Sequence, residues 1–426
     1  MNYGMNFILL HQMNIIIKNI KRLVQVEEKP AKWVQGKNMS KVQYINDAYL
    51  KIKNGIIEEY GKMNDIILTK NQELYEQIDA KNGMVFPSYC DSHTHLVFGD
   101  TRENEFIDRV KGLTYQEIAK KGGGILNSCK SIQILSEDEL YEKSLKRINK
   151  LIRLGTGAIE IKSGYGLNVE SEIKILKVIR RLKESTPITI KSTFLGAHAI
   201  PKEFKTSKEY LDQVINLMIP KIIEKDLIDF IDIFCEKGYF NIEDTKRILI
   251  ISKKLNIPSK IHLNQFNSLG GVNLATKYNA LSVDHLEVMN DNDYKSLVNS
   301  DTIPTLLPGC SFFLGIPYAN AREFIKRGLP IAIASDYNPG SAPNGNMNFI
   351  SSLSCIKMKL IPEEVINATT INTAYAMGLQ NILGSICVGK KANVFITKEI
   401  PSYNYLYYNY NENLIDKIIL NGKIIK

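Results

Sequence analysis

Eight short apolar runs alternate with helix-patterned stretches between residues 84 and 334, and this alternation constrains the fold more than any other feature. The runs lie at 84–86, 158–161, 188–194, 230–234, 260–263, 281–283, 303–306 and 331–334. Between them, Ile175, Leu176, Ile179 and Leu182 recur at i, i+1, i+4 and i+7 with Lys and Arg on the opposite face. Gly270-Gly271 opens a further helical stretch running to Tyr278. Strand–helix alternation builds a parallel sheet, and eight units predict an α/β chain folded as a TIM-like (β/α)8 barrel. A doubly wound sheet also satisfies the alternation, but no glycine-rich dinucleotide fingerprint follows any run. Gly122-Gly123-Gly124 lacks the lysine and hydroxyl of a phosphate loop and reads as a flexible loop.

The two ends have a different texture. Asn14-Ile15-Ile16-Ile17 reads as a strand, and 48–53 alternates, meets Asn54-Gly55, and resumes at Ile56-Ile57. Asn-Gly between such runs is a strong hairpin signal. The C-terminal end repeats it, with a strand at 393–396 and 417–420 turning at Asn421-Gly422 into Lys423-Ile424-Ile425. The expected organisation is a small β-sandwich domain built from both termini, residues 1–83 and 384–426, flanking a catalytic barrel at 84–383.

Composition excludes several classes. The net charge of +9 arises from 54 basic and 45 acidic residues spread along the chain, with no basic block of the kind that binds nucleic acid. The excess reads first as a Lys-rich, solvated surface, with a mild steering benefit for an anionic small molecule. Six cysteines are scattered without a C-x-x-C pair, which fits reduced core residues in a cytoplasmic protein better than a disulfide framework. Phe7-Ile8-Leu9-Leu10, broken by His11 and Gln12, is too short for a membrane span or a signal segment, and Met1, Met5 and Met13 are all candidate starts.

The polar residues fall in a pattern. In Asp91-Ser92-His93-Thr94-His95, two histidines two residues apart on a strand share a face, which supplies half of a transition-metal site. Two polar residues satisfied by backbone or water are the plain alternative, and a short motif does not decide between them. Five of the six histidines, His93, His95, His198, His262 and His285, sit at or just after the end of a candidate strand. Barrel enzymes do their chemistry there, and scattered structural histidines would have no such preference. The last run leads into Ser335-Asp336-Tyr337-Asn338-Pro339-Gly340-Ser341, which puts a carboxylate at a strand end. A turn or helix cap is the alternative for Asp336; beside the histidines, metal or catalytic use is the stronger reading.

A barrel with His-x-His on its first strand, histidines on strands five and six, and Asp on strand eight resembles the amidohydrolase superfamily. Within it the chain is similar to the imidazolonepropionase family, metal-dependent hydrolases of 4-imidazolone-5-propanoate to N-formimino-L-glutamate in histidine degradation. The likeness is carried by Asp91 to Gly124 (DSHTHLVFGDTRENEFIDRVKGLTYQEIAKKGGG), Glu160 to Leu167 (EIKSGYGL), Phe194 to Pro201 (FLGAHAIP), Asp232 to Gly238 (DIFCEKG) and Ser335 to Ser341 (SDYNPGS). Ala374-Tyr375-Ala376 and the glycines Gly384 and Gly389 extend it, so that it covers nearly the whole chain beyond the first dozen residues.

The resemblance implies that His93, His95, His262 and Asp336 hold one divalent metal, zinc or iron (Fe2+/Fe3+). It implies Asp336 as the acceptor of the attacking water's proton. It implies His285 as an electrophile or proton shuttle, a barrel-core histidine being the alternative. Arg102 would bind the substrate's propionate, Tyr165 and His198 would touch the substrate, and Asn338, Gly340 and Ser341 would line the far side. Gln265 stands where the family carries Glu or Gln and is expected only to hydrogen-bond. Arg109 reads as a surface arginine, and Lys162 as structural rather than as the carbamylated lysine of two-metal relatives. A homodimer is the expected assembly, and neither nucleic acid nor membrane is an expected partner. Another mononuclear amidohydrolase or aminohydrolase acting on a nitrogen heterocycle shares the metal chemistry. A catalytically silent metal-binding or scaffold protein is the reading from outside the enzymes.

Overall fold

The alternating middle of the chain forms a barrel. The computed structural model describes residues 14–67 and 75–425. Its parallel strands follow one another in chain order: Tyr89–Thr94, Thr156–Lys162, Thr189–Ala197, Phe230–Cys235, Ser259–Leu263, Ser282–His285, Ile303–Leu306 and Ala332–Ile333. Just past the eighth strand, Asp336 N–H donates to His93 O (3.0 Å) and His95 N–H donates to Tyr337 O (2.9 Å), which brings the last strand back to the first. Helices pack outside: Val169–Ser185 buries Ile175, Leu176, Ile179 and Leu182, and Gly270, at φ +85°, opens Gly271–Lys277. All eight strands present apolar side chains to one continuous core shared with these helices.

Both termini combine into a second sheet. Its order is Lys423–Ile425, Ile415–Leu420, Val394–Thr397, Met84–Pro87, Ile15–Val24, Tyr44–Lys53 and Ile56–Lys62, with Glu76–Asp79 also pairing to Ile15–Val24. Ile15, Ile17, Ile20, Leu50, Val394, Ile396 and Ile419 form its core. The two Asn-Gly turns behave as expected: Asn54 and Gly55 lie at φ +52° and +77°, Asn421 and Gly422 at +50° and +71°. Two successive left-handed residues are what a two-residue hairpin with the strands' own twist requires.

One strand assignment needs correction. The run beginning at Met84 does not open the barrel; Met84–Pro87 pairs with Ile15–Val24 and Val394–Thr397 in the terminal sheet. The first barrel strand is the polar segment Tyr89–Thr94, and the chain crosses between sheets at Ser88, whose N–H donates to Asn393 O (2.8 Å). This strand has no apolar run because its polar side chains are met by polar partners. Asp91 accepts from Ser335 N–H (3.0 Å) and Oγ (2.5 Å), and Thr94 Oγ1 donates to Glu160 O (2.7 Å). The triple glycine is also better anchored than a flexible loop. Glu105 accepts from Gly124 N–H (3.1 Å) and from Asn127 Nδ2 (2.8 Å). The six cysteines are unpaired thiols. No helix among the described residues is long and apolar enough to cross a membrane. The segment from Phe7 to Met13, with His11, lies outside the described residues.

Candidate metal centre and substrate recess

His93 on the first barrel strand, His95 one residue past its end, and His262 on the fifth converge inside the barrel mouth. One ring nitrogen from each lies within 4.8 Å of the others. His95 Nε2 and His262 Nε2 are 3.3 Å apart, and Asp336 Oδ1 stands 3.6 Å from His93 Nε2 and 3.7 Å from His95 Nε2. All four side chains are buried.

Buried carboxylates set the tautomers of two of these rings. His93 Nδ1–H donates to Asp284 Oδ2 (2.6 Å) and His262 Nδ1–H to Asp232 Oδ2 (2.8 Å). Each ring therefore turns a bare Nε2 lone pair toward the common centre, and His93 Nε2 finds no hydrogen-bond partner there. Carboxylate-backed imidazoles of this kind are the supported form of metal-ligating histidine. Burial, then repulsion from neighbouring imidazoles and Lys162, holds all three pKa values well below the ordinary range. The rings are neutral, the form that binds metal. Three neutral nitrogens with a carboxylate oxygen fit a divalent ion.

Asp284 and Asp232 were not singled out from sequence, because their signal appears only when the barrel brings strands four, five and six beside strand one. They belong to a fully buried network. Lys162 Nζ donates to Glu160 Oε1 (2.7 Å) and Asp232 Oδ2 (2.8 Å) and lies 3.7 Å from Asp284 Oδ2. Lys260 Nζ pairs with Glu160 and donates to Ser92 O (2.9 Å). Burial opposes the charge on Lys162, but the three carboxylates outweigh it and raise its pKa. An ammonium held this way is structural, as expected.

Backbone strain marks three residues at the site. Asp336 has φ +56°, and His285 and Leu286 have φ +89° and +68°. Left-handed backbone at residues of these types persists where the surroundings impose it, commonly at functional sites. Burial raises the Asp336 carboxyl to about 6, with His285 opposing the rise. Burial pulls His285 down, but the carboxylates of Glu287, Asp336 and Asp284 outweigh it and raise its pKa.

The centre opens into a recess with about 370 Å³ of atom-free space, including its mouth. Arg102, Tyr165, His198, Gln265, His285, Asn338 and Ser341 all line it. His198 Nδ1–H donates to Gly164 O (3.1 Å), and its ring stacks on His95 at 4.9 Å. Burial lowers its pKa to about 4, leaving it neutral with Nε2 as an acceptor. The Tyr165 loop is moulded by Glu172, which accepts from the N–H groups of Gly164 (3.1 Å), Gly166 (2.7 Å) and Leu167 (2.9 Å). Gln265 Nε2 donates to Cys310 Sγ (3.2 Å).

Three expected roles change in detail. Asn338 reaches the recess, but its amide is engaged in shaping its own loop: Oδ1 accepts from Gly340 N–H (2.8 Å) and Ser341 N–H (2.7 Å), and Nδ2 donates to Asp336 O (2.6 Å). Gly340 does not line the recess; it leaves room for Arg102, since a Cβ there would lie 2.1 Å from Arg102 Cζ. Arg109 is not a bare surface residue, because its Nη1 donates to Gly340 O (3.0 Å). Glu105, also missed, accepts from Arg102 Nε (2.8 Å) and ties Arg102 to the triple glycine. Ile125 and Phe234 supply the apolar wall.

Comparison with known proteins places the chain in a family. Residues 84–425 match the amidohydrolase family. The imidazolonepropionases of Flavobacterium johnsoniae and Christiangramia forsetii are 51% and 52% identical to the chain, each over 97% of it and all of their own length. That of Clostridium tetani is 40% identical over 97% of the chain and 98% of its own length. Among solved structures, E. coli guanine deaminase superposes with a TM-score of 0.74 at 12% identity, covering 97% of this chain and 99% of its own. A zinc-bound adenosine deaminase from Xanthomonas campestris superposes at 0.68 and 13% identity, covering 97% and 92%. These two show the shared fold. The chain therefore belongs to the amidohydrolase family and, within it, to the imidazolonepropionases.

Proposed function

We propose that the chain is a metal-dependent hydrolase that opens the cyclic amide of 4-imidazolone-5-propanoate to give N-formimino-L-glutamate. The observation that carries this reading is one recess whose wall brings His95, His262 and Asp336 of the ligand set together with a buried arginine. Identity of 40–52% to imidazolonepropionases over nearly the full chain supports it. His93, His95, His262 and Asp336 would hold one divalent ion, zinc or iron. When bound, the ion acts as a Lewis acid that acidifies water and polarises the amide carbonyl.

The chain's own residues divide the remaining work. Arg102 presents its guanidinium to the propionate, a charge-assisted contact that fixes the ring's orientation. Tyr165 and the neutral His198 bound the ring, and Ile125 and Phe234 exclude water from its edges. Gln265 and Ser341 offer hydrogen bonds to the polar ring atoms. Asp336, whose carboxylate stands 3.6 Å from His93 Nε2 and 3.7 Å from His95 Nε2, accepts the proton lost by the attacking water. His285, backed by Glu287, faces the negative charge that develops on the carbonyl oxygen and returns a proton to the departing nitrogen. The protein is further proposed to act in the cytoplasm as a homodimer.

Purified protein with confirmed metal content, mixed with freshly prepared imidazolone propanoate, will consume the substrate's ultraviolet absorbance. Metal-loaded protein that leaves the absorbance unchanged would refute the assignment. A nitrogen-heterocycle deaminase would instead release ammonia from its substrate.

A further inference from the structure

We propose that His285, Glu287 and Cys310 form a second cation site, one that takes a thiophilic divalent ion such as zinc or cadmium and inhibits the enzyme when filled. The three side chains each offer a ligand atom, and these atoms lie within 4.8 Å of one another. His285 Nδ1 and Glu287 Oε2 are 3.7 Å apart, beyond hydrogen-bond reach. Both atoms are buried and neither has a hydrogen-bond partner. The two side chains are 4% and 2% exposed, so solvent does not satisfy them. The pair is an ion pair without a hydrogen bond, and an ion taking the place of the imidazole proton would draw both donors to itself. Glu287 is held for the purpose: its Oε1 accepts from Ser311 Oγ (3.0 Å), which leaves Oε2 for the centre. The strained backbone at His285 and Leu286, φ +89° and +68°, fixes the direction of the imidazole.

The donor chemistry selects the ion. An imidazole nitrogen, a carboxylate oxygen and a thiolate sulfur suit zinc, cadmium or cobalt, and discriminate against magnesium and calcium, which take oxygen. Cys310 is fully buried, and its sulfur already accepts from Gln265 Nε2 (3.2 Å). The ion replaces the thiol proton, which passes to solvent. Three protein ligands leave a fourth position for water. The site adjoins the histidine centre, since the His285 ring lies 5.6 Å from that of His93 and 5.5 Å from that of His262. An ion here withdraws His285 from substrate and puts a like charge beside the first ion. The inhibitory part rests on the role given to His285 above; the binding part does not.

The first centre contains no sulfur, so a thiolate-to-metal charge-transfer band that Cys310→Ala abolishes reports the second site. Full-length protein stripped of metal is titrated with cadmium, following ultraviolet absorbance, bound equivalents and, separately, activity of the zinc-loaded enzyme. The expected result is two bound equivalents, one of which carries the sulfur band, with activity lost as the band grows. Cys310→Ala loses the band and one equivalent and keeps the other. Glu287→Gln shifts the band's midpoint to higher cadmium. The proposal is overturned if no band forms, if the band survives in Cys310→Ala, or if Glu287→Gln leaves its midpoint unchanged. A band without inhibition overturns the inhibitory part alone. Absence of hydrolytic activity at every cadmium level would refute the proposed function while the band still reads the site.

Discussion

Replacing Gly340 with alanine perturbs the substrate recess at a position that ligates nothing. The new Cβ would lie 2.1 Å from Arg102 Cζ and 2.2 and 2.4 Å from its terminal nitrogens. Carbon atoms in comfortable contact are about 3.5–4.0 Å apart, so the guanidinium must retreat by more than about 1 Å. It is not free to slide, because Nε and Nη2 are held by Glu105 at 2.8 and 2.7 Å. The forked contact to the substrate carboxylate is therefore lost or badly bent. A hydrogen bond to a charged group contributes about 1.5–3 kcal/mol. At about 1.4 kcal/mol per tenfold, that is a KM raised about 10- to 150-fold. Forcing extra volume into the site also costs about 1–3 kcal/mol of stability, visible as a lower Tm. Metal content, measured by elemental analysis, stays at the wild-type level because His93, His95, His262 and Asp336 are untouched. Arg102→Ala sets the ceiling on the KM effect. An unchanged KM in Gly340→Ala, with metal bound, would show that Arg102 does not hold the substrate as inferred.

Three other changes test the supports of the site. Asp284→Asn removes the carboxylate behind His93 while Lys162 keeps Glu160 and Asp232, and should weaken metal affinity about 10- to 100-fold in competition with a chelator. Glu172→Gln turns an amide NH2 toward backbone N–H donors of the Tyr165 loop; unfolding in urea should show a loss of about 1–3 kcal/mol, with a raised KM. Asp91 is raised from the ordinary carboxylate range to about 7 by burial, against its bonds to Ser335. Its folded form holds a proton that the unfolded chain has released, so stability of metal-stripped protein falls as pH rises from about 4 to about 7. Asp91→Asn should flatten that slope, and a slope of the opposite sign in the parent would contradict the assignment.

The repetitive parts of the fold were legible in the sequence. Seven of the eight apolar runs became barrel strands, and both Asn-Gly dipeptides became hairpin turns, because these elements depend on local periodicity and local backbone freedom. Met84–Pro87 went to the wrong sheet for a physical reason: an apolar run says that a strand is buried, not between which layers. Tyr89–Thr94 was hidden for the converse reason. Its polar side chains meet polar partners on strand two and just past strand eight, so the segment carries no apolar run. The histidines could be placed because the barrel puts strand ends together. Glu105, Glu172, Asp232 and Asp284 could not, since each acts on a neighbour that only the folded chain supplies.

The buried network shows why those carboxylates matter more than their positions in the sequence suggest. Glu160 and Lys162 come from the second barrel strand, Asp232 from the fourth and Asp284 from the sixth, the alternate-strand layering that fills such barrels. Lys162 sits among these three carboxylates and offsets charge that would otherwise be stranded in the interior. Two of the three spend their other interactions on His93 and His262. A cation placed in this layer therefore does two things at once. It offsets the carboxylates' charge, and it leaves the aspartates free to accept the Nδ1–H that turns each Nε2 toward the common centre. The same engagement leaves Lys162 no free amine to carbamylate, so a bridging ligand for a second catalytic metal is absent from strand two. The single divalent ion proposed for the centre is in keeping with this way of neutralising the barrel interior.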